Sequence, residues 1–445
     1  MPARDDAQLG EWIERQYRYA ATAMLPSFSA VNIVKHRPGF GQTVTPKKGS
    51  IVASPVLGAY DPEPDYFFHW FRDSAVVIDA MRLLYEDEAL QGDFLTPFAD
   101  FIDFSLSLRN LDGRRVGAPD WRDAIAPDFR QFVRTDADLD AAHGETILGE
   151  TRVNPDGTLD ISKWPRPQYD GPAMRAIALL HWQVAARFDG ELAAAVDALL
   201  RTDLLFTRRH WREASFDIWE EDKGLHYYTL RTAARALEAG AGWFEQQGEG
   251  LEAAACRSEA SAILKQLDEF WREDLQFYKS RILPSNAPSV KELDISVIFA
   301  AIHAGGTAAV HSVQDPRMHA TLARLEALFD AEYAINRHRG AGRGPAMGRY
   351  AGDVYYSGGA YYFSTLAAAE FCFRAAAQMP AMQGLIDRGD AFLETVRAYT
   401  PPSGDLSEQF DQHTGVQRSA QQLAWSYAAF ISCSHARRLV TRRSE

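Results

Sequence analysis

The chain has 445 residues, 46% apolar and 12% aromatic, and its 47 basic against 60 acidic side chains leave a formal charge of −13. That balance repels phosphate backbones and argues against nucleic acid, while the length exceeds what one core holds unless the core closes as a barrel or toroid. Cys256, Cys372 and Cys433 lie far apart with no CxxC spacing, no run of about 18 apolar residues occurs, and the N-terminus lacks a secretion-signal pattern, so we expect a chain without disulfides, cysteine–zinc site or membrane span, placed in the cytoplasm.

Taken in order, the predicted elements alternate between two kinds. An amphipathic helix over 7–24 comes first, followed by a small-residue, largely apolar one in "FRDSAVVIDAMRLLY" (71–85). Amphipathic segments recur at 93–108, 191–207, 249–271, 318–333 and 382–400. Between them stand "YDGPAMRAIALLHWQVAA", "HYYTLRTAARALEAG", "ELDISVIFAAIHAG", "SGGAYYFSTLAAAEFCF" and "SAQQLAWSYAAFISC". From Ser419 to Ala436 there is no formal charge, and a helix apolar on all sides must be buried on all sides. Six buried and six half-exposed helices in alternation predict an all-α fold, an (α/α)6 toroid with an inner ring sheathed by an outer one. An open solenoid leaves its inner row facing solvent and does not meet that burial pattern.

In such a toroid the segments leading into the six inner helices open at one end. They read "PDYFFHWFRDS", "KWPRPQYDGP", "FDIWEEDKGLHYY", "KELD", "GRYAGDVYYSGG" and "GDLSEQFD". Acids, aromatics and arginines alternate there, without a histidine cluster of metal-ligand spacing, a phosphate loop or a G-x-S-x-G turn. We therefore expect no cofactor and no metal. An acidic pocket walled by aromatics suits cleavage of a glycosidic bond, where one carboxyl group protonates the leaving oxygen and another activates water or attacks carbon.

Five of these blocks, in order over roughly residues 60 to 435, resemble the glucoamylases of glycoside hydrolase family 15. "DYFFHWFRDSA" is similar to the family's D-Y-F-x-x-W-x-R-D-S block, and "WPRPQYDGPAMRA" to its W-x-R-P-Q-x-D-G-P-A-x-R-A. "FDIWEEDKGLHYYT", "GRYAGDVYYSGGAYYFSTLAAAE" and "LSEQFDQHTGVQRSAQQLAWSYAAF" resemble the other three. The resemblance implies Glu220 as general acid and Glu408 as general base of an inverting, exo-acting enzyme that frees β-D-glucose from α-glucan ends. It implies that Tyr66 helps Glu408 orient water, that Arg72 and Asp73 hold hydroxyls of the terminal sugar, and that Trp164 stacks near the acid. It also implies a substrate-binding place for Trp219, and for Glu221 and Arg349 at the neighbouring sugar. An α-1,6 glucan, trehalose, or a silent glucan-binding role remain alternatives. Where the family has G-E-P-K-F this chain has "GETRV", which puts Arg152 at the place of a lysine contact, and Phe68, His69 and Phe71 differ where linkage preference would be read. With no serine/threonine-rich linker and only about 60 residues before the first block, we expect one catalytic domain over 1–445, without a starch-binding module or β-sandwich.

Residue by residue, local physics allows plainer roles. Asp73 could cap its helix or pair with Arg72, the tryptophans could be core, and Asp222 beside Lys223 reads as a solvated turn residue. Asp217 reads as a support. Glu220 follows Trp219, and an apolar wall favours a protonated carboxyl. Glu408 lies between Ser407 and Gln409, where a polar loop supports an ionised one. Adjacent Glu220 and Glu221 diverge by about 100° if the turn is helical.

Overall fold

The computed structural model describes residues 6–60, 62–87, 90, 92–116, 121–306, 309–379, 382 and 384–441. Among these, twelve helices of nine residues or more follow the predicted alternation. The outer set is α1 (Asp6–Met24), α3 (Leu95–Ser107), α5 (Gly190–His210), α7 (Gly250–Leu267), α9 (Pro316–Glu332) and α11 (Leu385–Tyr399). The inner set is α2 (Phe71–Glu86), α4 (Asp170–Ala185), α6 (Tyr227–Gln246), α8 (Ser296–Ala304), α10 (Tyr362–Gln378) and α12 (Ala424–Thr441).

Packing closes the ring. α2 packs on α4, α4 on α6, α6 on α8, α8 on α10, α10 on α12, and α12 returns to α2. Each step is tight because small residues face the joints. A Cβ on Gly171 at the start of α4 would meet the Phe71 Cβ at 2.6 Å, so only glycine lets these two N-termini approach. One continuous apolar core runs through both rings, from Leu9 in α1 to Val440 in α12. Of the inner segments quoted from Ser357 and from Ser419, the helices begin only at Tyr362 and Ala424. Gly358, Gly359 and Ser419 take left-handed backbone there, which ends the lead-in loop before the helix can start.

Outer α5 and α9 are capped by Asp189 and Asp315, each accepting from a backbone N–H of the first turn. Inner α2, α4, α6, α8 and α10 begin without a side-chain cap. Their first N–H groups turn to the lead-in loops instead: Phe71, Tyr227 and Tyr362 donate to the carbonyls of Thr151, Ser280 and Glu408, and Ser296 donates to the Asp294 carboxylate at 2.7 Å, while Asp73 and Asp170 sit in two of those first turns. Asp73 is the third residue of α2 rather than its cap; Trp70 holds that position. Short antiparallel ladders stiffen the loops: Trp70 pairs with Arg152, Phe216 with Lys223, His226 with Arg281 and Phe410 with Gln417.

Candidate active site

The lead-in loops surround a cavity. The first loop and start of α2 supply Tyr66, Trp70, Arg72 and Asp73, and the third loop supplies Trp219 and Glu220. Arg349 comes from the fifth, Glu408 from the sixth, and Phe363 with Trp425 closes the barrel side, their rings stacked at 4.8 Å. Thus seven of the nine residues proposed from sequence line one cavity. Trp164 and Glu221 stand just behind the wall, each bonded to a residue that lines it.

Glu220 sits in left-handed backbone at φ 64°, a conformation that costs a non-glycine residue about 1–2 kcal/mol. Asp217 holds the turn. Its carbonyl accepts from the Glu220 N–H at 3.0 Å, and its carboxylate accepts from the N–H groups of Trp219 and Glu221 at 3.1 and 2.9 Å. The turn is not helical, so Glu220 and Glu221 part for a different reason from the one expected. Glu220 points at nitrogen donors: the Trp70 indole N–H at 2.8 Å, the Arg72 guanidinium at 3.3 Å, and the Trp164 indole N–H. Glu221 turns instead to the Tyr350 hydroxyl at 2.7 Å, Lys291 Nζ at 2.7 Å and Arg349 at 3.2 Å.

The expectation that Trp219 walls off Glu220 is therefore corrected. Trp219 donates its indole N–H to Asp294 at 2.9 Å and stacks on Phe363, while two other tryptophans turn their polar edges to the acid. Asp222 is corrected too. It accepts from Arg281 at 2.6 Å and Lys291 at 3.2 Å; although burial opposes it, these partners hold its carboxyl below the usual range.

Glu408 lies just ahead of the Gln409–Phe410 strand and is 7% exposed. One carboxylate oxygen accepts from the Tyr66 hydroxyl at 3.1 Å, and the other from the Ser419 hydroxyl. Tyr66 also bonds Tyr355 at 2.9 Å. The polar sequence around Glu408 suggested easy ionisation. The structure reverses this: burial pushes its carboxyl up to about 7, against the pull of Ser419, Arg349 and Tyr66.

Arg72 and Asp73 do form an ion pair, at 3.2 Å, but it does not exhaust Arg72. Arg72 also bridges Asp170 at 3.2 Å and Glu220 at 3.3 Å. Burial disfavours its charge, yet Asp170, Asp73 and Glu220 together hold its pKa above the usual value. The Asp73 oxygen in that ion pair is buried, and burial pushes the carboxyl up to about 6 against the pull of Arg72; Asp73 and Arg72 both line the cavity.

Both readings drawn from the family's departures fail geometrically. Arg152 is buried away from the cavity, bonded to Asp160 at 2.9 Å, with its guanidinium 3.6 Å from the Trp164 ring centre. It can back Trp164 but not reach a sugar. Phe68, His69 and Phe71 are at most 2% exposed and line no part of the cavity. His69 accepts the Ile51 N–H at 3.0 Å, and burial drives its imidazole down to about 3. Among the described residues no group of three or more His, Cys, Asp or Glu is placed to hold a metal ion, and no helix is long and apolar enough to cross a membrane.

Sequence reasoning passed over several supports. Trp70 and Ser419 lay inside quoted blocks but carried no role, and each holds a carboxylate. Asp170 anchors Arg72, and Asp294 with Arg281 fixes Trp219 and the acidic turn. A buried-position aspartate ahead of an inner helix ("YDG", "ELD") was the available signal.

The family model for glycosyl hydrolases family 15 matches residues 133–388 and 380–435. A probable glucoamylase of Schizosaccharomyces pombe is 29% identical, across 98% of this chain and 93% of its own length. A Neurospora crassa glucoamylase is 28% identical, across 87% of this chain but only 63% of that relative, so the chain spans less than two thirds of it. The solved Hormoconis resinae glucoamylase superposes with a TM-score of 0.75 at 27% identity, covering 96% of this chain and 74% of that one. The Hypocrea jecorina family 15 glucoamylase, at 24% identity and a TM-score of 0.78 over 97% of this chain and 73% of its own, shares the fold. With its closed double ring of helices and an acidic cavity at one mouth, the chain belongs to family 15 of the glycosyl hydrolases.

Proposed function

We propose that the protein is an inverting, exo-acting α-glucosidase that hydrolyses terminal α-glucosidic bonds of malto-oligosaccharides or related α-glucans and releases β-D-glucose. One observation carries this reading: Glu220 and Glu408, nearly two hundred positions apart, face one cavity from separate loops. Glu408 takes a proton from water, the water oxygen bonds the anomeric carbon, and the glycosidic oxygen leaves with the proton of Glu220.

Each carboxyl is surrounded by groups that suit the state it reaches after transfer. Two indole N–H groups and a guanidinium stabilise the Glu220 carboxylate left by donation. Burial favours the neutral Glu408 formed by accepting a proton. Tyr66 orients the water with Glu408, while the Arg72–Asp73 pair at the cavity wall receives hydroxyls of the terminal glucose. Trp164 positions the acid, and Trp219 forms wall. Arg349, with Glu221 beside it, meets the next sugar. The ring of twelve helices is the catalytic unit and an α-glucan its substrate.

The test is hydrolysis of maltose, isomaltose and trehalose by wild type, Glu220→Gln and Glu408→Gln. We expect wild type to cleave maltose and each variant to lose about 10²–10⁴-fold in kcat. A 4-nitrophenyl α-glucoside, whose leaving group needs no proton, restores Glu220→Gln but not Glu408→Gln. No hydrolysis of any sugar by wild type overturns the enzymatic reading, and faster isomaltose or trehalose cleavage moves the bond.

A further inference from the structure

A second cavity, about 280 Å³, opens at the other mouth of the barrel, where the inner helices end. Phe363 lines both cavities, so one aromatic layer separates them.

Side chains along its wall change in order with depth. On α10, Phe363, Ala367, Glu370 and Arg374 follow at spacings of four, three and four, one helix face running from ring to guanidinium. On α12, Ala428, Ser432, His435 and Leu439 repeat the step, and on α2 Ala75 leads to Asp79 and Arg82. The deep part is therefore apolar, with Met174 of α4 beside Ala75 and Phe363. The mouth is a collar of Arg82, Arg235 and Arg374 with His181 and His435.

The collar's acids are already taken. Asp79 pairs with Arg82 at 2.8 Å and His181 at 3.0 Å, and Glu370 accepts from Arg374 at 2.6 Å and Ser432 at 2.7 Å. Arg235 pairs with no carboxylate among the described residues, and its Nε is buried without a hydrogen-bond partner. Three guanidinium groups against two carboxylates leave the collar net positive. A guanidinium at the mouth of an apolar shaft suits an anionic head with a hydrocarbon body.

The geometry points to a binding site for an amphipathic carboxylate in this cavity, its apolar chain in the shaft and its carboxylate on Arg235. The site is separate from the glycosidic one and does not depend on its chemistry.

Calorimetric titration of the full chain with octanoate tests it. Octanoate binds saturably at one site, Arg235→Gln weakens it about tenfold at an unchanged melting temperature, and acetate (head alone) and octanol (tail alone) each bind more weakly. Leu439→Trp, which crowds the exposed rim, weakens octanoate without removing a charge and serves if Arg235→Gln unfolds. Saturating maltose, added to the Glu220→Gln variant so that it is not consumed, leaves the titration unchanged. An absence of saturable octanoate binding overturns the site, as do equal affinity in folded Arg235→Gln or displacement by maltose.

Discussion

The third and sixth lead-in loops each deliver one glutamate to the same cavity, by opposite physical means. Glu220 sits on a tight left-handed turn tied by Asp217, and it is held by nitrogen donors from two other loops. Glu408 sits beside a short hairpin, 7% exposed at the cavity wall, and among the described residues two hydroxyls donate to its carboxylate. The difference shows that neither environment is set by the residues adjacent in sequence. Trp219, next to Glu220, turns to Asp294, and Ser407 and Gln409, next to Glu408, bond within their own and the fifth loop.

Removing supports on either side sharpens that contrast. The largest effect is expected at Asp73→Asn, which removes a charged acceptor from the cavity wall and breaks the ion pair with Arg72. We expect kcat/KM on maltose to fall about 10–100-fold, and a loss below threefold would mean that Asp73 holds no substrate hydroxyl.

Next is Tyr66→Phe, which removes one donor from Glu408 and none from Glu220. Glu408 must be ionised to accept a proton, and its raised folded-state pKa means activity is lost as pH falls through about 7. Loss of a donor favours the neutral form, so the acid limb of kcat/KM moves to higher pH and kcat drops about tenfold. An unmoved limb would assign it to another group.

The smallest effect is expected at His69→Asn. The ring lies in the core behind the first loop, so the ratio of maltose to isomaltose hydrolysis should stay within about twofold of wild type even where stability falls. A shifted ratio would restore His69 to the reading of linkage.

Much of the ring was legible in the sequence because burial on all sides leaves a mark that no single loop can hide, as in the uncharged stretch from Ser419 to Ala436. The lead-in loops pointed to the cavity because a toroid gathers them whatever their length. Electrostatics was not legible. The setting of Glu408 depends on Tyr66 and Ser419, the first of them more than three hundred residues away, and the pairing of Asp222 depends on Arg281 and Lys291. Arg152 looked like a sugar contact because its block held a lysine in the family. Only the register of Trp70 with Arg152 shows it behind the wall.

The central claim is that two differently held carboxylates act across one cavity, Glu408 on water and Glu220 on the leaving oxygen. Proton NMR of the first turnovers of maltose reads this directly. Glucose released from the non-reducing end appears first as the β-anomer, with α rising only by mutarotation. Initial release of α-glucose would contradict it, because the oxygen would then have arrived on the face the leaving group left.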